Sequence, residues 1–146
     1  MSVKSQQTLM KRLSQLLEQD LSYVDGENEN GFNGAKAEFH SKGKSFLRGM
    51  AKDLHFNEFK VQSNPTGAAS SGDITLYGIW PEGKGLMIRL SDGNHAVHYR
   101  TIKHMHDYAG GLNRFFHRDH LAYWSYEKLL YTLERDRLAG VHEPAA

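Results

Sequence analysis

Apolar residues recur along this chain with two different periods, and the change of period divides it. Leu9, Leu13, Leu16, Leu17 and Leu21 fall at helical spacing, with Lys11, Arg12, Gln15, Glu18 and Gln19 between them. That pattern predicts a helix from about Ser5 to Leu21. The stretch DGENENGFNG, Asp25 to Gly34, is acidic and rich in turn formers, so it reads as an exposed connector. The first helix is therefore expected as an N-terminal helical arm, residues 1–24, with its leucine stripe packed on the body of the protein or on a twin subunit. A second helix is predicted from about Ala35 to Leu54, with Phe39, Phe46, Leu47, Met50, Ala51 and Leu54 on one stripe. Gly43 and Gly49 each weaken it by about 1 kcal/mol relative to alanine, unless a close contact needs them.

From Glu58 the period shortens to two. FKVQ, DITLYGIW, GLMIRL and HAVHYRT read as strands, separated by NPTGAASSG, PEGKG and SDGN. The last two connections are short enough for antiparallel hairpins. Alternation puts Leu86, Ile88 and Leu90 on one face with Met87 and Arg89 on the other, and sets Ala96, His98 and Arg100 against Val97, Tyr99 and Thr101. Residues 102–118 read as an irregular basic loop. Asp119 is positioned to cap a C-terminal helix running to about Leu138, with Leu121, Trp124, Leu129, Leu130 and Leu133 as its buried set. The tail GVHEPAA is expected to fray. Strand runs segregated from helices argue an α+β class: an antiparallel sheet of about four strands with helices packed on one face, forming a single domain over residues 35–140.

Composition narrows the partners. A chain of 146 residues with 39% hydrophobic content can bury a core without staples. The formal net charge is +1, so nucleic-acid affinity has to come from a local patch and not from the field of the whole molecule. There is no cysteine, which excludes disulfides, Fe–S clusters, thiolate zinc sites and a cysteine nucleophile. No apolar run reaches the ~20 residues of a membrane helix, and the N-terminus lacks the apolar core of a secretory signal. The expectation is a cytoplasmic protein with no membrane association.

Three segments carry a resemblance. They are the helix KGKSFLRGMAKDL, the loop and strand SNPTGAASSGDITLY, and YRTIKHMHDYAGGLNRF. They resemble a family of small uncharacterised proteins carried on bacterial plasmids, integrated elements and phages. In that family a Gly-rich S-N-x-x-G-x-A-x-S-G-(D/E)-x-T-L segment is followed by R-T-x-K and D-Y-x-G-G-x-N-x-F. The matching residues are Ser63, Asn64, Gly67, Ala69, Gly72, Asp73, Thr75 and Leu76, then Arg100, Thr101, Lys103, Asp107, Tyr108, Gly110, Gly111, Asn113 and Phe115. The match spans about residues 36 to 116. It departs from the pattern at His104, Met105 and His106, where basic residues usually precede Asp-Tyr. The resemblance implies a mobile-element habitat, with replication, transfer or the countering of host defence as the process served.

The densest chemistry lies in HYRTIKHMHDYAGGLNRFFHRDH, residues 98–120. As a metal site it offers His104, His106, His117 and His120, but it lacks HExxH or an equivalent framework that makes ligands converge, so no metal and no cofactor are expected. As a metal-independent ribonuclease it offers His98, Arg100, Lys103, His104, His106 and Tyr108 for proton transfer and phosphate neutralisation. As a nucleic-acid grip it interleaves Arg100, Lys103, Arg114 and Arg118 with Tyr99, Tyr108, Phe115 and Phe116, so that cations meet phosphates and ring faces meet unpaired bases. Gly110 and Gly111 would let backbone N–H groups approach a phosphate, or simply make a tight turn. For Phe115 and Phe116 the core is the favoured place, whereas Tyr108 suits either role.

The reading that weighs most is a non-catalytic binding protein of a bacterial mobile element, with nucleic acid as its ligand. The expected binding set is Arg100, Lys103, His104, His106, Tyr108, Gly110, Gly111, Asn113 and Arg114. A secondary basic face is expected at Lys42, Lys44 and Arg48 of the second helix. Two alternatives stand beside it: a protein inhibitor of a host nucleic-acid-processing defence complex, of anti-CRISPR or anti-restriction type, and the ribonuclease. A homodimer through the N-terminal helix is the further partner considered.

Overall fold

The computed structural model describes residues 2–19, 35–64, 73–91, 95–105 and 113–142. Helix α1 (Val3–Leu17) opens on Ser2, whose hydroxyl accepts the Ser5 N–H, and α2 (Ala35–Asp53) follows. Five strands come next: β1 (Glu58–Asn64), β2 (Asp73–Ile79), β3 (Gly85–Ser91), β4 (Ala96–Ile102) and β5 (Asn113–His117). A short α3 (Arg118–Leu121) and a long α4 (Tyr126–His142) close the chain. The strands form one antiparallel sheet in the order β1-β2-β3-β4-β5, each paired with its neighbour in sequence. The expected α+β architecture, with an antiparallel sheet, is what the chain adopts. No helix among the described residues is long and apolar enough to cross a membrane.

The helices lie on one side of the sheet, and the alternation of each strand explains why. Ile74, Leu76, Leu86, Ile88, Leu90, Val97 and Tyr99 point to that side and are all at most 1% exposed. They share a core with Phe46 and Leu47 of α2, with Leu54 just past its end, and with Leu129 and Leu133 of α4. Leu13, Leu16 and Leu17 of α1 are buried in the same core, so the stripe of the first helix is covered by the chain itself. Each such leucine withdrawn from water contributes about 1.5–3 kcal/mol. At Gly43 α2 lies close on the sheet: a Cβ there would run into the Ile74 side chain of β2.

Two polar bonds lock the far end of this layer. Trp80, 1% exposed, donates its indole N–H to the Leu54 carbonyl at the end of α2 at 2.8 Å. Tyr126, at the start of α4, donates its hydroxyl to Asp53 Oδ2 at 2.7 Å. Burial, then the hydrogen bond to Asp53 and its negative charge, push the Tyr126 phenol far above its ordinary value. On the outside, the Arg137 guanidinium lies 5.1 Å from the Trp80 ring centroid and binds Glu82 of the β2–β3 turn through two N–H groups at 2.5 Å.

The structure departs from the sequence expectation at three places, the first being α1, which closes at Leu17 with Glu18 as its C-cap where the pattern predicts a helix to about Leu21. Residues 113–117, read as part of a loop, form the fifth strand. The C-terminal helix is broken: His117 caps α3 by accepting the Asp119 N–H at 3.1 Å, and α4 starts afresh at Ser125, whose hydroxyl accepts the Lys128 N–H at 3.1 Å. Asp119 therefore sits in the first turn and not at the cap. The side of the sheet away from the helices carries apolar residues of its own, as the expected outward placement of Met87 requires. Tyr77, Ile79, Met87 and Ile102 make a second buried cluster there, with Met105 packed against it.

Candidate nucleic-acid interface

The pairing of β4 with β5 decides which of the expected residues meet. The register sets His98 against Phe115, Tyr99 against Arg114 and Arg100 against Asn113. Neighbouring residues of a strand point to opposite faces, so these pairs alternate between the two sides of the sheet. Tyr99 is fully buried under the helices, which places Arg114 on the helix side. His98, Arg100, Asn113 and Phe115 lie on the other side. Arg100 and Arg114, expected to act together, are therefore separated by the thickness of the sheet.

Register carries the row further. Thr75, Arg89, His98 and Phe115 line up across β2 to β5, and Lys60, Tyr77, Met87, Arg100 and Asn113 form the neighbouring row across all five strands. Adjacent members are about 5 Å apart. The His98 and Phe115 rings are stacked, with centroids 4.5 Å apart and planes inclined by 10°. His98 Nε2 is 3.0 Å from Asn113 Oδ1, which fixes the imidazole from its edge. Phe115 is 64% exposed. Arg89 Nε lies 3.7 Å from Asp73 Oδ2, and the other oxygen of that carboxylate accepts the Thr75 hydroxyl at 3.1 Å. The acidic residues Asp73 and Glu58 share this side with Lys60, Arg89 and Arg100, so the cations outnumber the carboxylates by one here.

The other expected residues distribute as follows. Lys103 and His104 are exposed immediately beyond β4, and His104 Nδ1 is 3.3 Å from the Met105 carbonyl oxygen. His106, Tyr108, Gly110 and Gly111 lie outside the described residues. Lys42 is exposed and ion-paired with Glu38 at 2.5 Å; Arg48 is exposed and Lys44 half-buried. These three belong to α2 and so sit across the sheet from Arg100. Their surface is separate from the β4–β5 face.

Several histidines have structural partners. His95 Nδ1 is 2.6 Å from the Leu17 carbonyl, tying the β3–β4 connection to the end of α1. His40 is buried on α2 with Nδ1 2.5 Å from the Ser63 hydroxyl of β1. His117 serves as the α3 cap. Among the described residues no three His, Asp or Glu side chains converge as metal ligands would. Besides Arg114, sequence reasoning misplaces Phe115, which it assigns to the core and which is exposed. Two adjacent phenylalanines cannot both face a core from one strand, and that constraint was available only once NRFFH was recognised as a strand.

Comparison with known protein families, with curated proteins and with solved structures finds no match to this chain.

Proposed function

We propose that the chain is a non-catalytic nucleic-acid-binding protein and that the β4–β5 end of its sheet, on the side away from the helices, is the binding surface. The observation that carries this reading is the cross-strand grouping of Arg100 with Asn113 and of His98 with the exposed Phe115, continued by Arg89. It brings cationic, amide and aromatic groups onto one face of a rigid element, the combination that phosphates and bases require together. Lys103 extends the cationic character past the end of β4, with the exposed His104 ring beside it in sequence. The resemblance of the Ser63–Leu76 and Arg100–Phe115 segments to proteins of plasmids, integrated elements and phages supports a bacterial mobile element as the habitat.

Fluorescence anisotropy with labelled oligonucleotides tests this. Affinity should fall as salt rises from about 50 to about 200 mM, and Arg100→Ala and Lys103→Ala should each weaken binding across sequences while lowering the salt slope by about one. Wild-type protein that binds no oligonucleotide at low salt, or binds without salt dependence, overturns the proposal. The same surface would then be examined for capture of a host nucleic-acid-processing complex.

A further inference from the structure

We infer that the nucleic acid is recognised as a single strand, through an unpaired base stacked on Phe115; this rests on the nucleic-acid reading of the β4–β5 face and narrows it. The two phenylalanines of β5 have opposite fates. Phe116 turns toward the helices, where its ring lies 5.2 Å from Tyr99 and 5.0 Å from Trp124. Phe115 turns to the other side and stays 64% exposed in the middle of a strand. The core does not use this ring.

Its surroundings suit it to a stacking role. One face of the ring is occupied by His98, at 4.5 Å and nearly parallel, and His98 is itself held by Asn113. The ring is thus oriented before any ligand arrives, which reduces the ordering that binding requires. β5 is the last strand in the sheet order, so the second face of the ring looks toward the edge. A base placed there continues the stack of His98 and Phe115. In a duplex both faces of each base are covered by its neighbours, so only an unpaired base can enter this position. Every base has such a face, which makes the contact tolerant of sequence.

The charges match a strand that leaves the ring along the sheet. Arg100, on β4, adjoins Asn113 one strand spacing (about 5 Å) inward of β5, and Arg89, on β3, adjoins His98 two spacings (about 10 Å) inward, so their long side chains extend along the sheet beside the ring. Asp73 offsets part of the Arg89 charge and also orients it. The phosphates flanking the stacked base are the groups these guanidiniums can reach.

The test uses the full chain, fluorescein-labelled oligothymidylate and oligouridylate of about 15 nucleotides, and a duplex of the same length. Single strands should bind tighter than duplex at matched salt. Phe115→Ala should weaken single-strand binding by about five- to 150-fold and leave duplex binding nearly unchanged. Phe115→Trp should restore the single-strand affinity, whereas Tyr131→Ala, which removes a 70%-exposed ring of α4, should have no effect. Because Phe115 is exposed, the alanine variant is expected to keep its fold, checked by an unchanged circular dichroism spectrum. Equal affinity for strand and duplex, or a Phe115→Ala variant as tight as wild type on single strands, overturns the stacking inference while leaving nucleic-acid binding intact. Absence of any oligonucleotide binding by wild type overturns both.

Discussion

Gly43 and Gly49 lie on the same helix, six residues apart, and should respond in opposite ways to the same methyl group. At Gly49 an added Cβ meets nothing within 4 Å, so Gly49→Ala should bring only the helix-propensity gain of about 1 kcal/mol. At Gly43 the same gain is offset by collision with Cδ1 of Ile74, a fully buried side chain of β2. Overpacking a core typically costs about 1–3 kcal/mol, so Gly43→Ala should be neutral to destabilising by up to about 2 kcal/mol. Ile74→Val removes that colliding atom, at its own cost of about 0.5–1.5 kcal/mol, and leaves Cγ1 of Ile74 as the nearest group at 3.4 Å. In the valine background Gly43→Ala should then stabilise by about 1 kcal/mol, giving a coupling of about 1–3 kcal/mol between the two sites. Urea denaturation followed by the fluorescence of Trp80 and Trp124 measures all four corners of the cycle, provided the m-value stays constant. A coupling within about 0.5 kcal/mol of zero, or Gly43→Ala as stabilising as Gly49→Ala in the wild-type background, would refute the claim that close approach of α2 to β2 is why this position is glycine.

Tyr126→Phe should cost about 1.5 kcal/mol at neutral pH, the low end for a hydrogen bond to a charged group, because the half-buried Asp53 can recruit water. With its folded pKa raised, Tyr126 contributes fully below the ordinary phenol value near 10. Above that value the unfolded chain releases a proton that the folded chain keeps. Wild type should therefore lose about 1.4 kcal/mol per pH unit there, a component the phenylalanine variant lacks in pH-dependent melts. His55 and His95 both have positive φ, 60° and 56°. His55→Gly should stabilise by about 0.5–1 kcal/mol, since His55 holds the left-handed position after α2 with its N–H on the Lys52 carbonyl. His95→Gly should show no gain in the same thermal melts, because it also removes the 2.6 Å bond to the Leu17 carbonyl.

How far the sequence reaches depends on whether a segment's period is set locally. Leu86, Ile88 and Leu90 alternate cleanly, and their burial on the helix side follows from that alternation alone. The apolar stripe of α2 is legible for the same reason. β5 was not, because NRFFH is five residues long and mixes charge, amide and two phenylalanines with no period of its own. Its strand character comes from the backbone of β4, a partner that no local pattern announces. The break before α4 was hidden by leucines that keep helical spacing across it, although Ser125 is a good cap in hindsight. Alternation puts Met87 on the face away from Leu86, but its burial there depends on the cluster with Tyr77, Ile79 and Ile102, which only the register brings together.

The same distinction governs the candidate site. Residue type and sequence proximity brought Arg100, Asn113 and Arg114 into one expected surface, yet a strand sends its neighbours to opposite sides. Arg114 therefore goes with Tyr99 toward the helices, while Asn113 goes with Arg100. Cross-strand pairing also recruits Arg89 and Lys60 from strands that carry no basic motif. The proposed binding surface is consequently a set of rows across the sheet and not a stretch of chain. A one-residue slip of β5 that exchanges Phe115 for Phe116 on the outer face would keep an aromatic ring opposite His98 but set Arg114 in place of Asn113 beside Arg100, cation against cation. The proposed binding, which depends on the rows, would be lost in that register even though the same residue types remain on β5.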